Sequence, residues 1–183
     1  MPIKSQSFNL HELLDTVLSF ERSSHPGLRF TAYYDASLPD IEADRDKLHQ
    51  VFLNLVRNAS EACPADGRVR VLTRHCAHWE LAGTNLDPTR RYILVSIEDE
   101  GPGIPEELRK NIFKPLFSTK KQGTGLGLSI SFRLVESHGG QLRYQPSERS
   151  GACFQAILPE SQSEPLEENS PNFVYQDLRK EIS

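Results

Sequence analysis

The chain has no apolar run near the roughly 20 residues that a bilayer-spanning helix needs, and no apolar stretch of signal-peptide type at its N-terminus. A soluble, cytoplasmic segment is expected, whether or not a longer parent chain is anchored to a membrane. Clustered lysine and arginine are also missing. With 21 basic against 25 acidic residues the formal charge is −4, so neither nucleic acid nor a membrane surface is an expected partner. Cysteine is scarce: Cys63, Cys76 and Cys153 are scattered and odd in number, which excludes a disulfide framework and suits a reducing compartment. His75, Cys76 and His78 offer three metal ligands without a fourth at a useful spacing, so this stretch reads as an exposed hairpin turn. No Gly-x-x-x-x-Gly-Lys-Ser/Thr occurs, and Gly-x-Gly-x-Gly at 123–127 departs from the dinucleotide fingerprint. P-loop and Rossmann chemistry are thereby excluded.

What is present suits one globular domain: 183 residues with 37% apolar content. After a linker at 1–7, Leu10, Leu13, Leu14, Val17 and Leu18 give 8–20 a helical period behind Asn9 and Glu12, which have capping-box separation. Leu28, Phe30, Ala32 and Tyr34 alternate as in a half-buried strand, and Ile41 sits in a second extended piece before Asp44 caps a central helix at 46–62. That helix carries the apolar stripe Leu48, Val51, Phe52, Leu55, Val56, Ala59 and Ala62. Strands follow at 69–73 and 92–97 around a long polar loop, then a short helix at 105–113, an irregular stretch at 114–124, a helix at 126–138 and two strands at 141–145 and 152–158. From residue 160 to 183 the composition turns acidic and rich in Ser and Pro, as in a disordered tail.

Three polar clusters carry chemistry. On the central helix Gln50, Asn54, Arg57, Asn58 and Glu61 share one side, with Asn58 nearest the apolar stripe. A neutral amide oxygen there suits Mg²⁺ already bound to a triphosphate, where a carboxylate would repel the phosphate oxygens. Asp99 ends an apolar strand and precedes Gly101 and Gly103. It is an acceptor-only group that reads the exocyclic amine of adenine, which guanine lacks at that position, while the glycines let backbone approach a flat base. Gly123, Thr124, Gly125, Leu126, Gly127 and Leu128 open a helix whose first N–H groups and positive dipole end suit phosphate. Lys114, Lys120 and Lys121 lie in the loop before it, within reach of a γ-phosphate, and that loop is a natural mobile lid.

In order along the chain, 46–59, 99–103, 113–117 and 123–128 resemble the N, G1, F and G2 boxes of sensor histidine kinases. The resemblance covers roughly 8–159 and implies the Bergerat ATP-binding fold of the GHKL superfamily, an α/β two-layer sandwich with helices on one face of a mixed, mostly antiparallel sheet. Tyr34 to Pro39, Asn54 to Asn58 and Pro115 to Lys120 are most similar to kinases of the nitrogen-regulation NtrB type. By that resemblance ATP and Mg²⁺ are the cofactors and Asn58 holds the metal. Asn54, Asn58 and Lys120 serve catalysis, Asp99 and Ile104 hold adenine, and Arg57, Gly101, Gly103, Phe117, Thr119 and Gly123 to Leu128 complete the nucleotide site.

The pattern is broken at two positions: Glu100 stands where an asparagine is common, and Glu61 where many relatives carry a basic residue, which leaves the γ-phosphate to Arg57, Lys120 or Lys121. The phosphoacceptor sequence of the family is absent. His11-Glu12-Leu13 imitates only its start, so the chain is expected to be the catalytic half of a longer kinase. Its implied partners are a dimerisation domain bearing the acceptor histidine, a response-regulator receiver domain and a regulatory protein. Two other readings compete: a GHKL ATPase that uses nucleotide as a clamp, disfavoured because Asn54 stands where such enzymes carry a glutamate base, and a non-catalytic binding module.

Overall fold

The computed structural model of the chain describes residues 2–149 and 151–161, so the expected tail lies outside the described residues except for Glu160 and Ser161. In chain order the elements are β1 (Gln6–Phe8), α1 (Leu10–Ser24), β2 (Arg29–Tyr34), β3 (Ile41–Ala43), α2 (Arg45–Ala62), β4 (Arg68–His75), β5 (Tyr92–Asp99), α3 (Gly127–Ser137), β6 (Gln141–Pro146) and β7 (Ala152–Pro159). The main sheet has the order β2-β4-β5-β7-β6, with β2 and β4 parallel and the other pairs antiparallel. A parallel pair needs a crossover, and α2 supplies it while covering one face of the sheet. The two-layer α/β architecture expected from the sequence is therefore present, with a separate two-stranded ribbon of β1 and β3.

Caps fix where the helices start. Asn9 Oδ1 accepts from the N–H of His11 and of Glu12 at 3.0 and 3.2 Å, and Asp44 Oδ1 accepts from Lys47 N–H at 3.2 Å. The buried His138 joins the far end of α3 to the start of α2, since Nε2 accepts from Asp44 N–H at 3.1 Å while Nδ1 lies 2.7 Å from Leu134 O. The core between helices and sheet takes Leu13, Leu14, Val17 and Leu18 from α1 and Leu48, Val51, Phe52, Leu55, Val56 and Ala59 from α2. Against them stand Val69 and Val71, then Ile93, Val95 and Ile97, then Phe154, Ala156 and Leu158, each strand alternating as its pleat requires.

Four expectations change. Gln6 and Ser7, read as linker, pair with β3. In β2 only Phe30 is buried, because this strand is the sheet's edge. The helix expected at 105–113 is a single 3-10 turn at Glu106–Leu108; Pro115 disfavours helical geometry at Lys114, and a run that short has too few hydrogen bonds to persist. The stretch after β4 is not an exposed turn: Cys76 and Leu81 pack with Tyr92, Leu94 and Ile157 on the sheet's second face, and Arg74 grips Glu80 through two bonds of 2.6 and 2.7 Å. Among the described residues no group of three or more His, Cys, Asp or Glu side chains is gathered to hold a metal.

The same outer face explains Glu100. Its carboxylate accepts from Arg68 N–H at 3.0 Å and stands 3.5 Å from Arg70, which also donates to Glu98 at 3.1 Å and is only 4% exposed. Glu100 thus neutralises a buried guanidinium. Arg70→Ala should lower stability by about 1–3 kcal/mol, because two neighbouring carboxylates lose their counter-charge. Adding Glu98→Gln and Glu100→Gln should recover part of that loss in a denaturant titration.

Candidate nucleotide site

A cavity of about 830 Å³ opens between α2, the C-terminal end of β5, the 114–124 segment and the start of α3. Its size is that of a nucleotide-scale ligand pocket. Fourteen of the sixteen expected site residues line it: Asn54, Arg57, Asn58, Asp99, Gly103, Ile104, Phe117, Thr119, Lys120, Gly123, Thr124, Gly125, Gly127 and Leu128. Gly101 and Leu126 do not. The N–H of Gly101 donates to Asp99 Oδ1 at 2.8 Å, so this glycine shapes the turn, and Leu126 occupies the N-cap of α3 with a partly exposed side chain. Of the three candidate lysines only Lys120 reaches the cavity; Lys114 and Lys121 do not line it.

At the inner end Asp99 is 3% exposed. Oδ1 is spoken for by two backbone donors, Gly101 N–H and, at 3.1 Å, Ala152 N–H of β7. No protein donor reaches Oδ2 among the described residues, and Asp99 lines the cavity, so this oxygen is the acceptor offered to a ligand. Burial pushes the Asp99 pKa above the ordinary aspartate value, against the pull of those two backbone bonds. Around it Ile104, Leu108, Ile112, Ala152 and Phe154 make an apolar slot. Leu108, Ile112, Ala152 and Phe154 were not among the expected residues. The alternation of β7 marks Ala152 and Phe154 as core-facing, but only the pairing of Ile97 with Phe154 brings them beside Asp99.

The α2 wall is polar. Asn54 is half-buried, and its Nδ2 donates to Ser131 Oγ of α3 at 3.0 Å. This aims Oδ1 at the start of α3, where a Cβ on Gly127 would stand 2.3 Å from it. Asn54 therefore sets the position of the start of α3. One turn on, Asn58 Oδ1 accepts from the ammonium of Lys120 at 3.3 Å, and the same ammonium is paired with the carboxylate of Glu61. Arg57 also lines the cavity but is engaged by α1: its Nε lies 3.4 Å from the fully buried Glu21, and its guanidinium is 6.0 Å from the centre of the Phe20 ring. Of the three candidates for the γ-phosphate, Lys120 is the one whose charged end is in the cavity.

The third wall is the 114–124 segment and the glycine run. Gly125 has φ +70°, and a Cβ there would meet the backbone of Leu116 at 2.4 Å. Glycine at 125 thus lets the segment lie directly on the turn that leads into α3. Beyond it, the N–H groups of the first turn of α3 have no carbonyl four residues back and face the cavity at Gly127 and Leu128.

Comparison with known proteins accords with this geometry. Residues 43–162, well over half of the chain, match the profile of the histidine kinase-, DNA gyrase B-, and HSP90-like ATPases. The chain belongs to that family. Within it, the chain is 37% identical to the sensory histidine kinase/phosphatase NtrB of Azospirillum brasilense over 161 residues, covering 86% of this chain and 40% of that protein. The chain thus spans about two fifths of the length of this curated relative. The nucleotide-free catalytic domain of histidine kinase ThkA superposes with a TM-score of 0.73 at 33% identity, over 86% of this chain and 97% of that one. ThkA in complex with the response regulator protein TrrA gives a TM-score of 0.68 at 31% identity, over 86% of this chain and 42% of that one. This histidine-kinase-type ATPase domain therefore has the fold that its four boxes imply.

Asp99→Asn should separate binding from folding. The amide keeps an oxygen for Gly101 and Ala152 but turns a donor toward the cavity, so ATP affinity should fall about thirty- to hundredfold, the cost of facing a donor with a donor. Stability at pH 7 should not fall. The folded pKa is raised, so the charged carboxylate costs stability above that pKa, and the amide removes the cost. Calorimetric titration and thermal melting of the same sample test both, and a melting point well below wild type would contradict the account.

Proposed function

We propose that this domain binds ATP with Mg²⁺ and transfers the γ-phosphate to a histidine on a dimerisation domain, for onward transfer to the aspartate of a response-regulator receiver domain. The observation that carries the reading is Asp99, whose free Oδ2 faces an apolar slot on the same cavity as Asn58, Lys120 and the start of α3. An amine reader, a slot for a flat ring, a cation-holding oxygen and a helix N-terminus in series match adenine, then phosphates.

The donor set suits a hard cation. Asn58 Oδ1 already accepts from an ammonium, so its oxygen is directed into the cavity and placed for positive charge. Four charged residues line the cavity, Arg57, Glu61, Asp99 and Lys120, and both basic ones are paired with carboxylates. A triphosphate therefore finds no uncommitted positive charge among them. Asn58 would hold Mg²⁺ here, and the ion would supply the positive charge that phosphoryl transfer needs. Asn54 holds the helix end, Lys120 offers an ammonium at the cavity wall, and Ile104 and Phe154 exclude water from the base. We take residues 8–159 as the catalytic unit.

For this unit the acceptor lies elsewhere. His11 is stacked on Tyr34 with ring centres 4.4 Å apart, and its Nε2 is 2.8 Å from Thr73 Oγ1. It does not line the cavity. The similarity to NtrB favours nitrogen regulation as the output, a regulatory protein as a further partner and the cytoplasm as the setting; the similarity to ThkA, solved with TrrA, favours a response regulator as the final acceptor. No helix among the described residues is long and apolar enough to cross a membrane. An ATPase clamp is not favoured, because Asn54 spends its amide on Ser131 and brings no carboxylate to activate water.

Two outcomes test the proposal. Asn58→Ala should abolish the gain in ATP affinity that Mg²⁺ brings while leaving metal-free binding within about twofold, as read by calorimetry with and without the metal. Purified alone and given labelled ATP, the chain should bind nucleotide without labelling itself, and should label a histidine once a compatible dimerisation domain is added. Acid-labile label on the isolated chain, lost on His11→Ala, would overturn the assignment.

A further inference from the structure

Residues 118–123 are exposed and form their own turn, with Lys120 N–H donating to Ser118 Oγ at 3.1 Å and Gly123 N–H to Lys120 O at 3.2 Å. Among the described residues, the only side-chain hydrogen bonds from this turn to another element are the two made by the Lys120 ammonium, to Asn58 and to Glu61. Glu61 lies three residues beyond Asn58 on α2, so the two oxygens share a face and take one cation between them. Among the described residues, the Glu61 side chain is paired with Lys120 alone, and the Lys120 ammonium with Glu61 and Asn58 alone.

We propose that Glu61 is a positioning residue for Lys120: in the nucleotide-free domain it holds the lysine across Asn58, closing the turn over the cavity mouth, and a metal-bound triphosphate must take Asn58 from that ammonium. The first half concerns the empty domain alone; the second rests on the nucleotide reading above. Glu61 repels phosphate and attracts the same ammonium that phosphate would attract, so the two anions compete for Lys120 just as Lys120 and the metal compete for Asn58. The acidic residue at 61 is then a device that delays lid opening and keeps the γ-phosphate lysine beside its site. The pair is partly exposed, with side chains 42% and 44% accessible, so the latch is weak enough to be released by ligand.

The test reads amide hydrogen exchange at 118–123 in metal-free, nucleotide-free protein. Glu61→Gln and Lys120→Met should each speed exchange about two- to fivefold, the scale of a partly exposed ion pair, and the double variant should be no faster than either alone. The charge exchange Glu61→Lys with Lys120→Glu should restore the slow rate. Unchanged exchange in Glu61→Gln, additive effects in the double variant, or no recovery in the exchanged pair would each overturn the latch. With Mg²⁺ and a non-hydrolysable ATP analogue, Glu61→Gln should bind about two- to fivefold more tightly than wild type; weaker binding would instead make Glu61 a ligand of the metal and overturn the competition. If no variant and no wild-type sample binds the analogue, the nucleotide reading fails while the exchange data still decide the latch.

Discussion

The docking of α2 against the sheet is the constraint on which the site depends. Leu48, Val51, Phe52, Leu55, Val56 and Ala59 are all buried against β4, β5 and α1, so the helix cannot rotate without exposing that stripe. Burying each large apolar side chain is worth roughly 1.5–3 kcal/mol, and the stripe as a whole outweighs any single polar contact in the cavity. Asn54 and Asn58 sit at its margin, and their direction is inherited from the packing. The same helix carries Asp44, tied through His138 to the end of α3, while Asn54 reaches Ser131 nearer the start of α3. Two contacts, about two turns apart along α3, therefore fix α3 to α2 on the cavity wall.

At the other end the geometry rests on strand pairing. Asp99 closes β5 and takes a hydrogen bond from the first residue of β7, so this cavity carboxylate is held by a neighbour more than fifty positions away in sequence. Both backbone donors are accepted by Oδ1, so Oδ2 keeps its acceptor capacity in a residue that lines the cavity. Glu100, the next residue, points to the opposite face and balances Arg70, as the alternation of a strand end dictates. Adjacent acidic residues thus face the cavity and the outer side of the sheet respectively.

The two basic side chains that line the cavity are already paired within the protein: Arg57 with Glu21 and Lys120 with Glu61. With each cation beside a carboxylate, the two basic groups repel each other little in a partly desolvated space. The cost falls on an incoming polyanion, which must arrive with its own cation or break a pair. A lysine on a loop can change partners at low cost; an arginine held to a fully buried glutamate cannot.

Much of this was legible from order and period along the chain. The apolar stripe of α2, the caps Asn9 and Asp44, the strand ending at Asp99 and the glycine run at 123–127 are local patterns, set by helix and strand periodicity and by backbone freedom. Four boxes in sequence order were enough to indicate the fold and the cofactor. What the chain alone could not disclose were contacts between segments distant in sequence. The roles of Arg57 and Glu100 depend on Glu21 and Arg70, the apolar slot on the register of β5 with β7, and the buried cluster behind β4 on a loop that folds back under the sheet. A side chain at a given position can turn to either neighbouring surface, and periodicity does not say which surface holds its counter-charge; that was decided only when the sheet and helices came together.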